Sequence, residues 1–231
     1  MSGTGPTIWA VLAAAGSGQR LGAGGPKALV EVAGRPLIEW SLRALAEAGC
    51  VAGVTIAAPP GEEEAMRRLA PDAMVVPGGA TRAESVSLAL AAVDWPAVAV
   101  HDAARPLLSA ELLDRLAVRL RDSDADCVIA AAPVADTLKL EGSGGEVERT
   151  VSRAGLWGAQ TPQLFRTAAL LRAQEAARER GDLEEATDEA WLIERAGGTV
   201  LLESTGAPNL KVTDSSDLAV AEALLQSQDR A

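Results

Sequence analysis

Short aliphatic runs alternate with amphipathic stretches along most of this chain. Ile8–Ala13, Val51–Ala57, Met74–Val76, Ala97–Val100 and Cys127–Ala132 are short and predominantly apolar on both faces. A strand that is apolar on both faces is one buried on both faces, as in a parallel sheet covered by helices. Between these runs, Leu37–Ala48, Glu62–Leu69, Arg82–Ala92 and Glu111–Arg121 place apolar residues at helical spacing. Thr81-Arg82-Ala83-Glu84 is a capping box that marks one helix start. Further helices near Thr167–Arg180 and Glu189–Ala196, a strand Thr199–Glu203 and a closing helix Ser215–Gln226 continue the pattern. The alternation predicts an α/β fold with one doubly wound, mostly parallel sheet, which binds ligands beyond the carboxyl ends of its strands. With no internal repeat, low-complexity tract or linker, residues 1–231 are expected to form a single domain.

One segment departs from this rhythm. Asp136–Leu140 and Glu146–Val151 flank Gly142-Ser143-Gly144-Gly145, a hairpin pattern with a glycine-rich turn. A lone two-stranded hairpin is marginal in water, and this one has few large apolar side chains. It is expected to project as an arm, at about residues 136–151, covered by a second copy of the chain. The competing expectation is a hairpin folded flat on its own sheet.

Composition narrows the chemistry. Lys+Arg 21 against Asp+Glu 32 leaves a net charge of −11, which argues against nucleic acid or an anionic membrane as a general partner. His101 is the sole histidine and tyrosine is absent, so a histidine pair, a histidine-based metal cluster or a tyrosine base is excluded within one chain. Cys50 and Cys127 lie far apart in apolar segments and read as buried thiols in a reducing compartment. No basic segment precedes the run Ile8–Ala15, which breaks at Gly16. Neither a signal peptide nor a membrane span fits, and a cytoplasmic location is expected.

Four stretches are placed to carry chemistry. The first runs from Ala13-Ala14-Ala15-Gly16-Ser17-Gly18-Gln19-Arg20-Leu21-Gly22 to Gly25-Pro26-Lys27, directly after the first predicted strand. Small residues let the backbone approach a polyanion, and successive N–H groups form an anion-binding nest. The dinucleotide fingerprint fails because Leu21 stands where a glycine is needed, which also disfavours a dehydrogenase. The P-loop fails because Ala28 follows Lys27. Arg20 and Lys27 framing the loop still make it a phosphate site. The second stretch, His101-Asp102-Ala103-Ala104-Arg105-Pro106, follows the strand at Ala97–Val100. Asp102 lies where this fold class puts its ligands, and Arg105 suits a bidentate grip on phosphate, unless both form a surface turn. His101 reads as a structural hydrogen-bonder. The third and fourth stretches, Arg153–Phe165 and Thr187-Asp188-Glu189-Ala190 with Asn209-Leu210-Lys211-Val212-Thr213, read as polar loops around apolar segments. Thr187 serves equally well as a helix N-cap, and Trp157 or Phe165 as core filler.

Taken in order, with Gly78-Gly79-Ala80-Thr81-Arg82-Ala83-Glu84-Ser85-Val86 between them, these stretches resemble the 2-C-methyl-D-erythritol 4-phosphate cytidylyltransferase family over nearly the whole chain. The resemblance implies a Rossmann-like sheet and a homodimer with interlocking hairpin arms. It further implies that Ala14, Ala15, Gly16, Ser17, Gly79, Arg82 and Ser85 line the CTP site. Arg20 and Lys27 would hold the triphosphate and stabilise the transition state. Asp102, Arg105, Thr137, Arg153, Thr161, Thr187 and Lys211 would surround methylerythritol phosphate, with Arg153 and Lys211 catalytic alongside the loop cations. Because Arg153 and Thr137 lie in or beside the arm, they would serve the partner's site.

The implied reaction is attack by the sugar's phosphate oxygen on the α-phosphorus of CTP, with pyrophosphate leaving. A phosphomonoester is largely dianionic at pH 7, its second pKa being about 6, so no general base is required. The obstacle is repulsion between about four charges on CTP and about two on the ester. Mg²⁺, held mostly on CTP oxygens and water with Asp102 as the one suspected protein ligand, would offset it together with the cations. The rival readings are ribitol 5-phosphate cytidylyltransferase, against which Leu156-Trp157 ahead of Ala159–Gln163 speaks, and a non-catalytic nucleotide-binding module.

Overall fold

The computed structural model describes residues 8–16, 18, 21 and 25–228. Seven strands form the central sheet: β1 (Ile8–Ala13), β4 (Val51–Ala58), β5 (Met74–Pro77), β6 (Ala97–Asp102), β7 (Cys127–Pro133), β10 (Trp157–Arg166) and β11 (Val200–Ser204), in the order β11-β7-β10-β6-β1-β4-β5. Every pairing is parallel except those of β10, which runs antiparallel to both β6 and β7. Short strands β2 (Glu31–Val32) and β3 (Arg35–Pro36) form a separate pair.

The predicted two-sided burial is met by a core on each face. Ala10 and Leu12 of β1, Ala99 of β6 and Val128 of β7 face one core, shared with Ile38 and Leu45 of α1 (Leu37–Glu47), Met66 of α2 (Glu63–Leu69) and Leu113 and Leu116 of α4 (Ala110–Arg121). Their neighbours Val11, Val98, Val100 and Cys127 face the opposite core. There they meet Val86 and Leu90 of α3 (Arg82–Leu90), Leu170 and Ala173 of α5 (Thr167–Arg180), and Leu192 and Ile193 of α6 (Glu189–Arg195). This is the period-2 alternation of a strand with helices on both sides. The last helix, α7 (Ser215–Gln228), closes a third cluster in which Ala221 and Leu225 meet Leu37, Trp40 and Val212. Both cysteines are free and buried, and burial, with Asp114 adding to it, pushes the Cys50 thiol up to about 12.

Chain order determines where the site lies. From β1 the chain moves outward to β4 and then β5, and returns across β1 to form β6 on its other side. The reversal opens a crevice at the carboxyl ends of β1 and β6, where Ala13 pairs with Asp102.

Two sequence expectations need correction. The stretch Arg153–Phe165, read as a polar loop around apolar residues, holds all but the last residue of the ten-residue strand β10, and this strand lies between β6 and β7. Its disguise is chemical: Thr161 and Gln163 are polar yet buried, and Pro162 breaks the strand pattern. Proline is tolerated because the β7 ladder is interrupted between Ala159 and Gln163 and the β6 ladder begins only at Gln163. Strand β6, expected to stop at Val100, continues through His101 and Asp102.

The hairpin forms as expected, from β8 (Leu138–Glu141) and β9 (Val147–Val151), with Gly144 and Gly145 at positive φ in its turn. It is a sheet of its own, unpaired with the central one, and Leu140 and Val147 remain exposed on it. No described helix is long and apolar enough to cross a membrane.

Phe165, fully buried in β10, tests whether this strand belongs to the core. Phe165→Ala is expected to destabilise the protein by about 3–5 kcal/mol. Leu171→Ala, at an exposed position on α5, is expected to change stability by less than about 0.5 kcal/mol. Urea denaturation of both variants measures the difference.

Candidate active site

The crevice at the ends of β1 and β6 holds a cavity of about 680 Å³. Three loops and one strand end build its walls. After β1, Ala14, Ala15 and Gly16 run along the floor, and the chain returns with Lys27, whose backbone N–H donates to the Gly16 carbonyl at 3.1 Å. Gly18 makes that return possible: its φ is +68°, and a Cβ there would lie 2.8 Å from the Gly25 carbonyl oxygen. At Gly16 a Cβ would meet nothing within 4 Å, so the floor is open to an approaching ligand.

The loop between β5 and α3 forms the second wall. Gly78 packs so closely on the β1 loop that a Cβ would sit 2.4 Å from the Ala15 Cβ. The loop's shape is pinned to the helix that follows. Gly79 N–H donates to Ser85 Oγ at 3.0 Å, and the Ser85 hydroxyl donates to the Thr81 carbonyl at 2.8 Å. Thr81 caps α3 by accepting from Glu84 N–H at 3.1 Å, as the capping box predicts. The Glu84 carboxylate reaches one residue further back, to Ala80 N–H at 2.7 Å.

Across the cavity lies a cluster of charges. Asp102, at the tip of β6 and 6% exposed, accepts from Arg82 Nε at 2.9 Å on one oxygen and from Lys211 Nζ at 2.6 Å on the other. Arg82 Nη1 also donates to both oxygens of Glu189, at 2.8 and 2.9 Å. Burial opposes ionisation of Asp102, but Arg82 and Lys211 outweigh it and hold the carboxyl well below the usual carboxylate range. Burial likewise works against the charge on Arg82, which Glu189 and Asp102 nevertheless strengthen. Burial pushes the Glu189 carboxyl up, and the paired hydrogen bonds from Arg82 oppose that shift.

Beneath Asp102 the polar groups are satisfied internally. Asp102 N–H donates to Thr161 Oγ1 at 3.0 Å; the Thr161 hydroxyl lies 3.1 Å from His101 Nδ1, and His101 Nε2 lies 3.3 Å from the Arg105 carbonyl. A carbonyl only accepts, so the proton of the neutral ring is on Nε2 and Thr161 donates to Nδ1. His101 is thus the structural hydrogen-bonder its place in the sequence suggested. Arg105 Nη1 donates to the Asn209 carbonyl, and Asn209 Nδ2 to the Thr161 carbonyl, at 2.7 and 2.8 Å. These bonds tie the loops after β6 and β11 to the bulge in β10, and so fix Lys211 over the cavity.

Among the described residues Asp102 is the only carboxylate lining the cavity, and both its oxygens are occupied by cations. No group of three or more His, Cys, Asp or Glu side chains among them is arranged to hold a metal ion. The donor set therefore does not fit a resident ion.

A model of the 2-C-methyl-D-erythritol 4-phosphate cytidylyltransferase family matches residues 8–227 of this chain. The chain belongs to that family. The enzyme of this name from Saccharopolyspora erythraea is 44% identical over 95% of this chain and 99% of its own. That of Xanthomonas campestris pv. campestris is 42% identical over 97% of this chain and 86% of its own. Among solved structures, the cytidylyltransferase of Thermus thermophilus superposes with a TM-score of 0.79 at 37% identity, covering 95% of this chain and 98% of that one. A 4-diphosphocytidyl-2C-methyl-D-erythritol synthase from Anaerococcus prevotii gives 0.81 at 27% identity, with 96% and 99% covered.

The cavity gathers most of the residues that the family resemblance singles out: Ala14, Ala15, Gly16, Lys27, Gly79, Arg82, Ser85, Asp102 and Lys211 all line it. Ser17 and Arg20 lie outside the described residues. Arg105 and Thr161 do not line the cavity. Arg105 is buried with its guanidinium turned to the Asn209 carbonyl, and Thr161 is buried beneath Asp102. Here Arg105 ties two loops together through the Asn209 carbonyl, and its burial excludes the alternative of a surface turn. Thr137, Arg153 and Thr187 are exposed and away from the cavity wall. Thr187 is not the cap of α6; Asp188 is, accepting from Trp191 N–H at 2.9 Å. Nothing in the sequence singles out Glu189, because an acidic residue in a first helical turn is ordinary there. Only the fold brings it to Arg82.

Burial pushes the His101 ring down to about 4 from its usual 6.5. As pH falls, the unfolded chain takes up this proton first, so stability is expected to drop between pH 6.5 and 4 by about 3 kcal/mol. The carboxyl of Asp102, depressed from 3.8, adds a further loss only below that value. Urea denaturation across pH 4–7 should show the first slope in the wild type and a flatter one in His101→Gln.

Proposed function

We propose that the cavity binds CTP against the β1 loop and transfers its CMP moiety to the phosphate of 2-C-methyl-D-erythritol 4-phosphate. In that reaction an oxygen of the sugar phosphate forms a bond to the α-phosphorus of CTP. The bond to the bridging oxygen breaks, and pyrophosphate leaves with its electron pair. The observation that carries this reading is that Lys27, from the β1 loop, and the Asp102–Lys211 pair line one cavity. A nucleotide phosphate and a second phosphate can thus share its walls.

Each wall supplies a distinct function. Ala14, Ala15, Gly16 and Ser17 offer backbone to the nucleotide, and Gly79, Arg82 and Ser85 border its base and sugar. Arg20 and Lys27 hold the triphosphate and stabilise the charge developing on the α-phosphoryl oxygens. Lys211 positions the attacking phosphate, while Asp102 accepts hydrogen bonds from the sugar hydroxyls. Thr161 acts through Asp102, whose backbone N–H it holds. The nucleophile arrives as a dianion, so alignment and charge neutralisation supply the catalysis. Mg²⁺ enters with CTP as the counterion of its phosphates, and the pairing of Asp102 with two cations supports leaving the ion to the nucleotide oxygens.

The remaining residues point to a second subunit. Thr137 and Arg153 flank the exposed hairpin and do not line their own chain's cavity. A homodimer whose arm delivers them to the partner's site accounts for both facts, and for the apolar Leu140 and Val147 on the arm. Thr187, likewise exposed and off the cavity lining, is assigned to the methylerythritol phosphate side by the family resemblance alone. The chain works as one nucleotidyltransferase unit in the cytoplasm, on small-molecule partners and without nucleic acid or membrane.

Lys27→Ala is expected to lower kcat by about 10²–10³-fold with the circular dichroism spectrum unchanged. Pyrophosphate release is measured with CTP, Mg²⁺ and either methylerythritol phosphate or ribitol 5-phosphate. Near-normal turnover in the variant removes the role of Lys27, and preference for ribitol 5-phosphate overturns the substrate. Mixing Lys27→Ala with Arg153→Ala subunits should restore activity, since one site of the mixed dimer then has both residues. No recovery refutes delivery by the arm.

A further inference from the structure

Glu189 is a buried carboxylate that the transfer of CMP does not use directly. It is 1% exposed, at the first position of α6, and it meets Arg82 across 107 residues of sequence. Its placement is rigid. The preceding residue, Asp188, caps α6 through Trp191 N–H and accepts from Gln163 Nε2 at 2.7 Å, while Gln163 Oε1 accepts from Ala190 N–H at 3.2 Å. Strand β10 therefore clamps the first turn of α6 from both sides of Glu189.

The two cations on Asp102 are held very differently. Lys211 reaches it on a flexible stem that is 43% exposed, and no other partner of its ammonium is seen among the described residues. Arg82 is held at its far end by both oxygens of Glu189, so its Nε is fixed toward Asp102. An incoming phosphate dianion can draw Lys211 away from Asp102. It cannot draw Arg82 away without breaking a two-point buried ion pair, and uncompensated charge in such a place is costly.

We infer that Glu189 is a positioning residue: through Arg82 it keeps Asp102 ionised and aimed at the sugar hydroxyls while Lys211 transfers to the substrate phosphate. This rests on the reading above in which Asp102 faces the polyol phosphate. The nucleotide loop does not depend on Glu189, because Gly79, Ala80 and Thr81 are pinned by Ser85 and Glu84. The effect of Glu189 is thus selective for the second substrate.

The test is steady-state kinetics of the full-length enzyme with CTP, Mg²⁺ and methylerythritol phosphate. Glu189→Gln keeps the shape of the side chain and removes its charge. It should raise the KM for methylerythritol phosphate by about tenfold while the KM for CTP changes by less than about threefold. Glu189→Asp, which keeps the charge but shortens its reach to Arg82, should shift the same KM in the same direction by a smaller factor, and it stands in if Glu189→Gln fails to fold. In an Asp102→Asn background, Glu189→Gln should add less than about twofold, since its route has been cut. Equal changes in both KM values, or full multiplication of the two effects, would assign Glu189 a general structural role and overturn the inference. An Asp102→Asn enzyme with unchanged KM for methylerythritol phosphate removes the reading of Asp102 and the inference with it. If Asp102→Asn raises that KM and folded Glu189→Gln leaves it unchanged, the inference alone fails.

Discussion

Asp102 carries a full negative charge at the tip of a central strand, almost out of reach of water, and much of the site's geometry follows from keeping it there. A lone carboxylate so placed would take up a proton rather than bear the desolvation. It stays ionised because two cations reach it from opposite sides: Arg82 from the start of α3, and Lys211 from the loop after β11. Its backbone N–H is occupied by Thr161, from the bulge in β10. Segments separated by 20 to 109 residues therefore converge on one side chain. The topology supplies the place and the charge determines the company.

How much of this could be read from the sequence depends on where each residue's partners lie. Strands β1, β4, β6 and β7 declare themselves because both faces meet cores, leaving runs that are mostly aliphatic. The capping box at Thr81 is local chemistry, visible within four residues. Strand β10 is not legible in the same way. Thr161 and Gln163 are polar because they serve as internal ties, to Asp102 and His101 on one side and to the start of α6 on the other. A polar residue whose partner is 25 or 60 positions away looks like a loop residue until the fold is known. The order of motifs revealed the family where periodicity could not. The internal ties that Arg105 and Thr161 make behind the wall, to Asn209 and Asp102, could be seen only in the fold.

The overall charge of −11 is a poor guide to this cavity. Lys27, Arg82 and Lys211 line it with one carboxylate among the described residues, so its local balance is cationic. Lysine is rare in this chain, and only Lys27, Lys139 and Lys211 carry it. Two of the three are in the cavity wall. The third, Lys139, lies in the arm and donates across the hairpin to Thr150 Oγ1 at 2.8 Å, so scarcity alone does not mark a site. What separates the cavity lysines from Arg82 is the kind of bond each makes. The planar guanidinium of Arg82 joins two carboxylates at once, whereas a single flexible ammonium can exchange one partner for another.

That difference has a consequence for how the pocket meets its substrates. A pocket lined with unpaired cations would have to reorganise and desolvate them afresh each time an anion entered. Here Asp102 and Glu189 balance Arg82 and Lys211 in the resting protein, so two positive and two negative charges stand in one hydrogen-bonded cluster. Arrival of a phosphate dianion needs only the exchange of Lys211 from one oxyanion to another, since Arg82 and Glu189 keep Asp102 compensated. Preorganisation in this cavity resides in the buried half of the cluster, and adaptability in the exposed half. The buried half must be rigid for the exposed half to move without cost to the aim of Asp102. Strand β10 provides that rigidity, gripping Asp102 through Thr161 and the first turn of α6 through Gln163. The one antiparallel strand of the sheet is in this sense the frame on which both sides of the charge cluster are mounted.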